Sequence, residues 1–272
     1  MTRRQFVYGA PVATLGALTA DAFALEPNWI DYPEINFGPG NSVPFTLIQL
    51  SDLHLNSIDS KHHRLAERVN SLNPHLVLIT GDAIDNRDNL PILDEFLGLI
   101  SPKILKTAIL GNWEWWAKVN IDELFDLYAR HNAKLLINSS YKFSIEDLSV
   151  TLVGVDDLVG GFPDLAASFA KVEPNDQCIV LAHCPSHFAK ITKYAIENDI
   201  SVQIVLSGHT HGGQVNLFGF VPFLPQGSGD YLKGWYESQG TKMYVSRGIG
   251  MTILPVRFGS RPEAPIFNYY AI

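Results

Sequence analysis

The chain has 272 residues, 46% of them hydrophobic and 18% charged, and its 28 Asp and Glu against 20 Lys and Arg leave a formal net charge of −8. That length buries a full core, as one large domain or two small ones, and the composition is that of a globular enzyme. The acidic balance excludes nucleic-acid or anionic-membrane binding through a broad basic surface, which needs clustered Lys and Arg, but admits a small anionic substrate, because bound metal ions reverse the local sign of charge.

In chain order, residues 1–24 read as an address. Arg3-Arg4-Gln5-Phe6 precedes an uncharged, mildly apolar stretch from Val7 to Ala20, and Ala20-Asp21-Ala22 and Ala22-Phe23-Ala24 are small-x-small cleavage candidates. The layout is that of a secretory signal, and the Arg pair resembles the twin-arginine export signal, although Tyr8 stands where that pattern often has Lys. The expectation is export to the periplasm by the twin-arginine translocase. The apolar run is shorter than the ~20 residues of a membrane span, so an uncleaved signal would act as a loose inner-membrane anchor giving peripheral association. Residues 25–42, with Pro27, Pro33, Pro39, Gly38 and Gly40, read as an extended linker.

From residue 43 to 272 apolar strand-like runs alternate with amphipathic segments. Strands are expected at residues 45–50, 76–80, 104–110, 178–181, 202–206, 243–246 and 266–270, with a hairpin from 141–145 and 150–153. Helices are expected at 62–72, 90–100, 121–131 and about 187–197. Strand–helix alternation early and strands late predict one domain, a two-sheet α/β sandwich with flanking helices. Cys178 and Cys184 are too few for a disulfide scaffold; they read as buried apolar residues, with a single bridge open in an oxidising compartment.

The chemistry-bearing residues recur just after apolar strands: Asp52 and His54 after the first, Asp82 and Asp85 after the second, Asn112, Trp113 and Glu114 after the third, then His183, then His209 and His211. In open α/β sheets ligands bind outside the carboxyl ends of the strands, so five such loops can converge on one site. Carboxylates and imidazoles suit Mn, Fe, Zn or Co. In Asp52-x-His54 and His209-x-His211, alternation along an extended segment would point both side chains the same way. Asp82 is the natural bridging carboxylate between two ions. His62, His63, His75, His131 and His187 fit no such pattern and read as surface or packing residues.

The series D-L-H, G-D-A-I-D, G-N-W-E, A-H-C and G-H-T-H, in that order, resembles the calcineurin-like metallophosphoesterase family over residues ~43–270. The extended GHTHGGQ, the late Ser246-Arg247-Gly248-Ile249-Gly250, and Arg257 with Pro262-Glu263 are similar to a bacterial exported subgroup of small phosphodiesterases. The resemblance implies two divalent ions, one held by Asp52, His54 and His211 and the other by Asn112, His183 and His209. Asp82 would bridge them and hold a hydroxide for in-line attack on phosphorus, with Asp82, Asn112 and His183 central to catalysis. Asp85 would steady a neighbouring ligand from behind. The implied substrate is a small-molecule or lipid phosphoester, most simply a phosphodiester. Alternatives are pyrophosphate cleavage on a lipid-linked sugar nucleotide at the cytoplasmic membrane face, and a weakly catalytic metal-binding scaffold.

One residue departs from the pattern. Trp113 stands where the family usually has the His that protonates the leaving oxygen, a role worth about 10²–10⁴-fold. Either the leaving group is already good, or Glu114, Asp85 or Arg247 takes the role, or turnover is slow.

Overall fold

The computed structural model describes residues 18–40, 43–145 and 148–270; the Arg3-Arg4 pair and most of the expected signal lie outside them. Two six-stranded sheets face each other. The first has the order β1 (Glu34–Phe37), β12 (Ile266–Tyr269), β2 (Phe45–Leu50), β3 (Leu76–Thr80), β4 (Leu105–Ile109), β5 (Ala133–Leu135). The second runs β10 (Gly234–Ser238), β11 (Thr241–Val245), β9 (Ser201–Ser207), β8 (Gln177–Leu181), β7 (Leu148–Gly154), β6 (Ser139–Ile145). β2 to β5 are parallel, as are β7, β8, β9 and β11. β12 against β2, β6 against β7 and β10 against β11 are antiparallel.

Period-2 alternation explains the layering. Leu47, Leu76 and Leu78 face Ile179, Leu181, Ile204 and Leu206 in the core between the sheets. Their neighbours Ile48, Leu50, Val77 and Ile79 point the other way, under α1 (Ser60–Leu72), α2 (Leu90–Leu99), the short α3 (Asn112–Trp116) and α4 (Ile121–Arg130). Cys178, Val180 and Val205 pack outward beneath α6 (Phe188–Glu197), while α5 (Leu165–Phe169) lies against β6 and β7. The central strands β2, β3 and β8 are therefore apolar on both faces, as covered parallel strands are. Both cysteines are buried free thiols.

The expected sandwich with flanking helices is the observed fold. The segment read as a linker differs from expectation. Its residues 34–37 add β1 in parallel to β12, and Glu26 is buried, accepting hydrogen bonds from the backbone N–H of Gly259 (2.9 Å) and Ser260 (2.5 Å). The prolines are compatible because β1 is an edge strand. Residues 21–25, spanning the end of the expected signal (to 24) and the start of the expected linker, form a helical turn. No helix among the described residues is long and apolar enough to cross a membrane.

The carboxyl ends of β2, β3, β4, β7, β8 and β9 lie at one edge of the sandwich. Gln49, fully buried between the sheets, ties the two layers there: its Nε2 donates to Thr80 Oγ1 (2.9 Å) in the first sheet and to the Ser207 carbonyl (3.0 Å) in the second. Loops leaving both sheets thus start from a fixed frame.

Candidate metal centre

Six of the seven sequence-assigned ligands converge in two buried triads. Asp52, His54 and His211 bring one ligand atom each within 4.8 Å of one another, and Asp82, His183 and His209 do the same. Asp82 lies between the triads: its Oδ2 is 3.0 Å from His183 Nε2 and 3.8 Å from His54 Nε2. The seventh, Asn112, is buried, and its Oδ1 has no hydrogen-bond partner among the described residues; Asp52 Oδ2 is likewise buried and unpartnered. Unpaired buried acceptors are costly and call for an explanation, and a cation supplies one. The donor set, imidazole and carboxylate with one amide oxygen, fits two divalent ions.

The backbone route to this cluster differs from the extended one expected. Asp52 (φ 52°), His54 (φ 44°), Asp82 (φ 51°), His209 (φ 74°) and His211 (φ 51°) all adopt left-handed backbone, a region that non-glycine residues rarely occupy and that concentrates at functional sites. Asp52 and His54 do reach the same triad, through irregular left-handed backbone rather than along a strand. His209 and His211 go to different triads, which alternation along an extended segment would not give. Gly81 (φ 88°) is needed beside them, since a Cβ there would lie 2.5 Å from His183 Nδ1.

The partners of each imidazole fix its ligating nitrogen. His183 Nδ1 donates to the Thr80 carbonyl (2.8 Å), leaving Nε2 toward Asp82. His209 Nε2 donates to the Gln226 carbonyl (2.8 Å), leaving Nδ1 inward, 3.3 Å from His183 Nε2. His54 presents Nε2, with Nδ1 3.3 Å from Asp85 Oδ1. His211 differs: its Nδ1 lies 3.3 Å from Arg257 Nη2, and a guanidinium only donates, so this nitrogen accepts while Nε2 faces His54 Nε2 at 3.1 Å.

Electrostatics separate the histidines further. Burial opposes the charged form of His183, but the adjoining Asp82 carboxylate outweighs it and holds the pKa well above the ordinary value. His54 is also raised, with burial opposed by Asp85, Asp82 and Asp52. Burial, then the charges of His54 and Arg257, drive His211 well below the ordinary value. Asp82 is lowered to about 2, its burial outweighed by the surrounding histidines, His183 first.

Glu114 is the brace of the site. Its buried carboxylate accepts from the backbone N–H groups of Asp82 (3.2 Å), Ala83 (2.6 Å), Ile84 (3.4 Å) and Gly111 (2.9 Å). It locks the loop after β3 to the loop after β4, and burial together with the nearby Asp82 pushes its pKa up to about 7. Asp82 Oδ1 in turn accepts from the Trp113 N–H (2.9 Å). The Trp113 ring stands edge-on to His54 with centroids 6.0 Å apart, and 5.5 Å from the half-exposed Trp116 ring. Arg247 lies in an ion-pair network, with Nη2 2.6 Å from Glu263 Oε2 and 3.1 Å from Asp31 Oδ2.

Two supporting residues, Asp156 and Asp157, were not singled out in the sequence, and a third, Arg257, was named there only within a subgroup pattern. Asp156 Oδ1 accepts from Trp115 Nε1 (2.8 Å), and Asp157 Oδ1 accepts from the N–H groups of Val159 and Gly160 (2.8 and 2.6 Å). Gly160 packs against the Asn112 backbone, so this loop positions α3 and its Asn112. Both aspartates follow an apolar strand, the same signal that marked the ligands. Arg257, fully buried, binds the carbonyls of Gly250, Arg247 and Ser260 besides contacting His211.

Two adjoining buried ligand triads, with Asp82 between them at the strand ends of an α/β sandwich, make a dinuclear metallohydrolase class of site. The calcineurin-like phosphoesterase family matches residues 45–213, and the chain belongs to that family. It is 32% identical to the uncharacterized metallophosphoesterase YkuE of Bacillus subtilis over 98% of this chain and 97% of that protein. It is 33% identical to the uncharacterized metallophosphoesterase Cj0846 of Campylobacter jejuni over 82% of this chain and 58% of that one. Among solved structures, a dimetal phosphatase from Danio rerio superposes with TM-score 0.49 at 13% identity, covering 76% of this chain and 88% of that chain. Membership of the family, shown by the match over residues 45–213 and the similarity to YkuE, makes the protein a metal-dependent phosphoester hydrolase.

Proposed function

We propose that the protein is a phosphodiesterase acting on esters with good leaving groups. The observation that carries this reading is the aromatic ledge of Trp113 and Trp116 beside His54, where an ionisable group would serve a poor leaving group. Bound at the two triads, divalent ions would supply Lewis acidity to the attacking water and neutralise charge on the phosphoryl group.

The chain's own residues set everything else. Asp52, His54 and His211 would hold one ion, and Asn112, His183 and His209 the other, with Asp82 between. Thr80 and Gln226 carbonyls fix two imidazole tautomers. Glu114 keeps the Asp82 and Asn112 loops in register. The candidates for a general acid are engaged elsewhere: Trp113 cannot donate a proton in this range, Glu114 is enclosed by four backbone N–H groups, Arg247 is held by two carboxylates, and Asp85 stands behind His54, its Oδ1 3.3 Å from Nδ1. A diester suits this wall because its second substituent can lie on the indoles, and its single charge needs no free arginine.

The test compares bis-p-nitrophenyl phosphate with p-nitrophenyl phosphate on the Mn-loaded protein. The expected result is a higher kcat/KM for the diester. Trp113→His should raise activity on poor leaving groups, by up to about 10²-fold, and leave activated ones nearly unchanged. Faster monoester hydrolysis, or an equal gain on both leaving-group classes, overturns the reading.

A further inference from the structure

The loop between Gln214 and Gln226 begins and ends at the metal centre. Gln214 N–H donates to the His211 carbonyl (2.9 Å), and the Gln226 carbonyl accepts from His209 Nε2 (2.8 Å). Between them the chain turns its largest apolar side chains outward: Phe218 is 95% exposed, Phe220 66% and Phe223 68%. A second tip stands beside it, because Gln214 Nε2 donates to the carbonyls of Thr252 and Leu254 (3.1 and 3.0 Å). That tip presents Ile253 at 81% exposure and Leu254 at 58%.

Two of these residues are held out against their own backbone preference. Phe218 has φ 54° and Ile253 φ 62°. Left-handed backbone in a β-branched residue is an outlier, and strain of this kind persists where the surrounding structure imposes it. Folding gains nothing from a bulky apolar side chain left in water, and clustered exposed apolar residues mark an interaction surface.

What covers the patch is indicated by its neighbours. Phe218 lines a groove with Leu18, Lys233, Arg247 and Arg261, alongside the acidic Asp21 and Glu26, of which Glu26 is buried on the backbone of Gly259 and Ser260. Leu18 is where the described chain starts, and the residues before it, Val7 to Ala17, carry no charge. An apolar stretch therefore joins the domain at the edge of the exposed phenylalanines. Lys233 and Arg261 flank the patch where lipid phosphates would lie if the phenylalanines entered the acyl boundary. The net charge of −8 argues against attachment by bulk electrostatics, so the apolar contact must dominate.

We propose that the Phe218–Phe223 loop and the Ile253-Leu254 tip form a membrane-docking surface that seats the metal centre against a phospholipid bilayer. Docking through apolar side chains at the loops flanking His209 and His211 turns the strand-end edge of the sandwich toward the lipid. This deepens the phosphodiesterase reading by placing the site at a lipid headgroup layer, and rests on that reading only for the chemistry performed there.

The experiment is co-sedimentation of the full chain with phosphatidylcholine vesicles at low and high salt. It compares the wild type, the triple variant Phe218→Ser/Phe220→Ser/Phe223→Ser, the pair Ile253→Ser/Leu254→Ser, and the control Phe125→Ser on α4. The wild type and control should bind with little salt dependence. The triple variant should bind at least about tenfold more weakly and the pair severalfold more weakly, with unchanged melting and unchanged hydrolysis of soluble bis-p-nitrophenyl phosphate. Absence of wild-type binding overturns the proposal. So does triple-variant binding equal to wild type, which would assign attachment to residues 7–17. A wild-type dimer that the triple variant converts to monomer also overturns it, assigning the patch to a second copy of the chain. Failure of the wild type to hydrolyse the soluble diester would instead sink the phosphodiesterase reading and leave the vesicle result standing.

Discussion

The two ligand triads differ in what stands behind them. In the Asp82–His183–His209 triad both outer imidazole nitrogens donate to backbone carbonyls, Thr80 at the end of β3 and Gln226. In the Asp52–His54–His211 triad the outer nitrogens face side-chain charges of opposite sign, Asp85 behind His54 and Arg257 behind His211. Backbone carbonyls fix a tautomer and are insensitive to side-chain changes. Charged side chains tune a ligand and can be altered one at a time. The first triad is therefore built for permanence, while the second has an affinity set by two neighbours. His209 already presents a lone pair at Nδ1, whereas His211 would offer Nε2 to an ion only as the Nδ1–H tautomer, with the Arg257 contact given up.

The largest expected effect comes from removing what the triads share. Asp82→Ala should abolish diester hydrolysis and reduce bound metal to one ion or none by elemental analysis. It removes the carboxylate between the triads and also the acceptor of the Trp113 N–H. Full retained activity would contradict a dinuclear mechanism.

A smaller effect should divide the triads. Asp85→Asn withdraws the charge behind His54, and loss of such a supporting group weakens metal binding about 10–100-fold. In a Mn titration of metal-free protein, one binding step should weaken by that factor and the other stay put. Equal weakening of both steps would show that the triads do not differ as their partners suggest.

The smallest effect concerns histidines outside the triads. Burial lowers His62 and His187 to about 4, opposite to the rise at His54 and His183. In the unfolded chain these imidazoles take up protons near pH 6.5, and in the folded protein only near pH 4. The unfolded state thus binds more protons in that interval, and stability falls as pH drops through it. His62→Gln should flatten part of this slope in urea melts between pH 6.5 and 4; an unchanged slope would remove His62 from the account.

Much of this was legible in the sequence because the signal was hydrophobic. β2, β3, β8 and β9 are largely apolar runs, and every ligand but Asn112, which follows β4, comes just after one of them. β1 and β10 were not legible: they are edge strands with alternately exposed residues and carry little apolar pattern. β5 has three residues, too few for a period. α3 begins on the ligand Asn112 itself, so its sequence reads as a loop motif. Which residues converge was readable, but the left-handed backbone of five of them was not, since nothing in Asp or His side chains announces positive φ. Arg257 was invisible as a partner of His211 because 46 residues separate them and only the folded loop brings them together.

The central claim is that Asp82 joins two ions into one centre. Electron paramagnetic resonance of the Mn-loaded protein tests it most directly. Two Mn per chain with the spectrum of an exchange-coupled pair, collapsing to the signal of isolated ions in Asp82→Ala, is the predicted result. Two Mn per chain giving only isolated-ion signals in the wild type would contradict it.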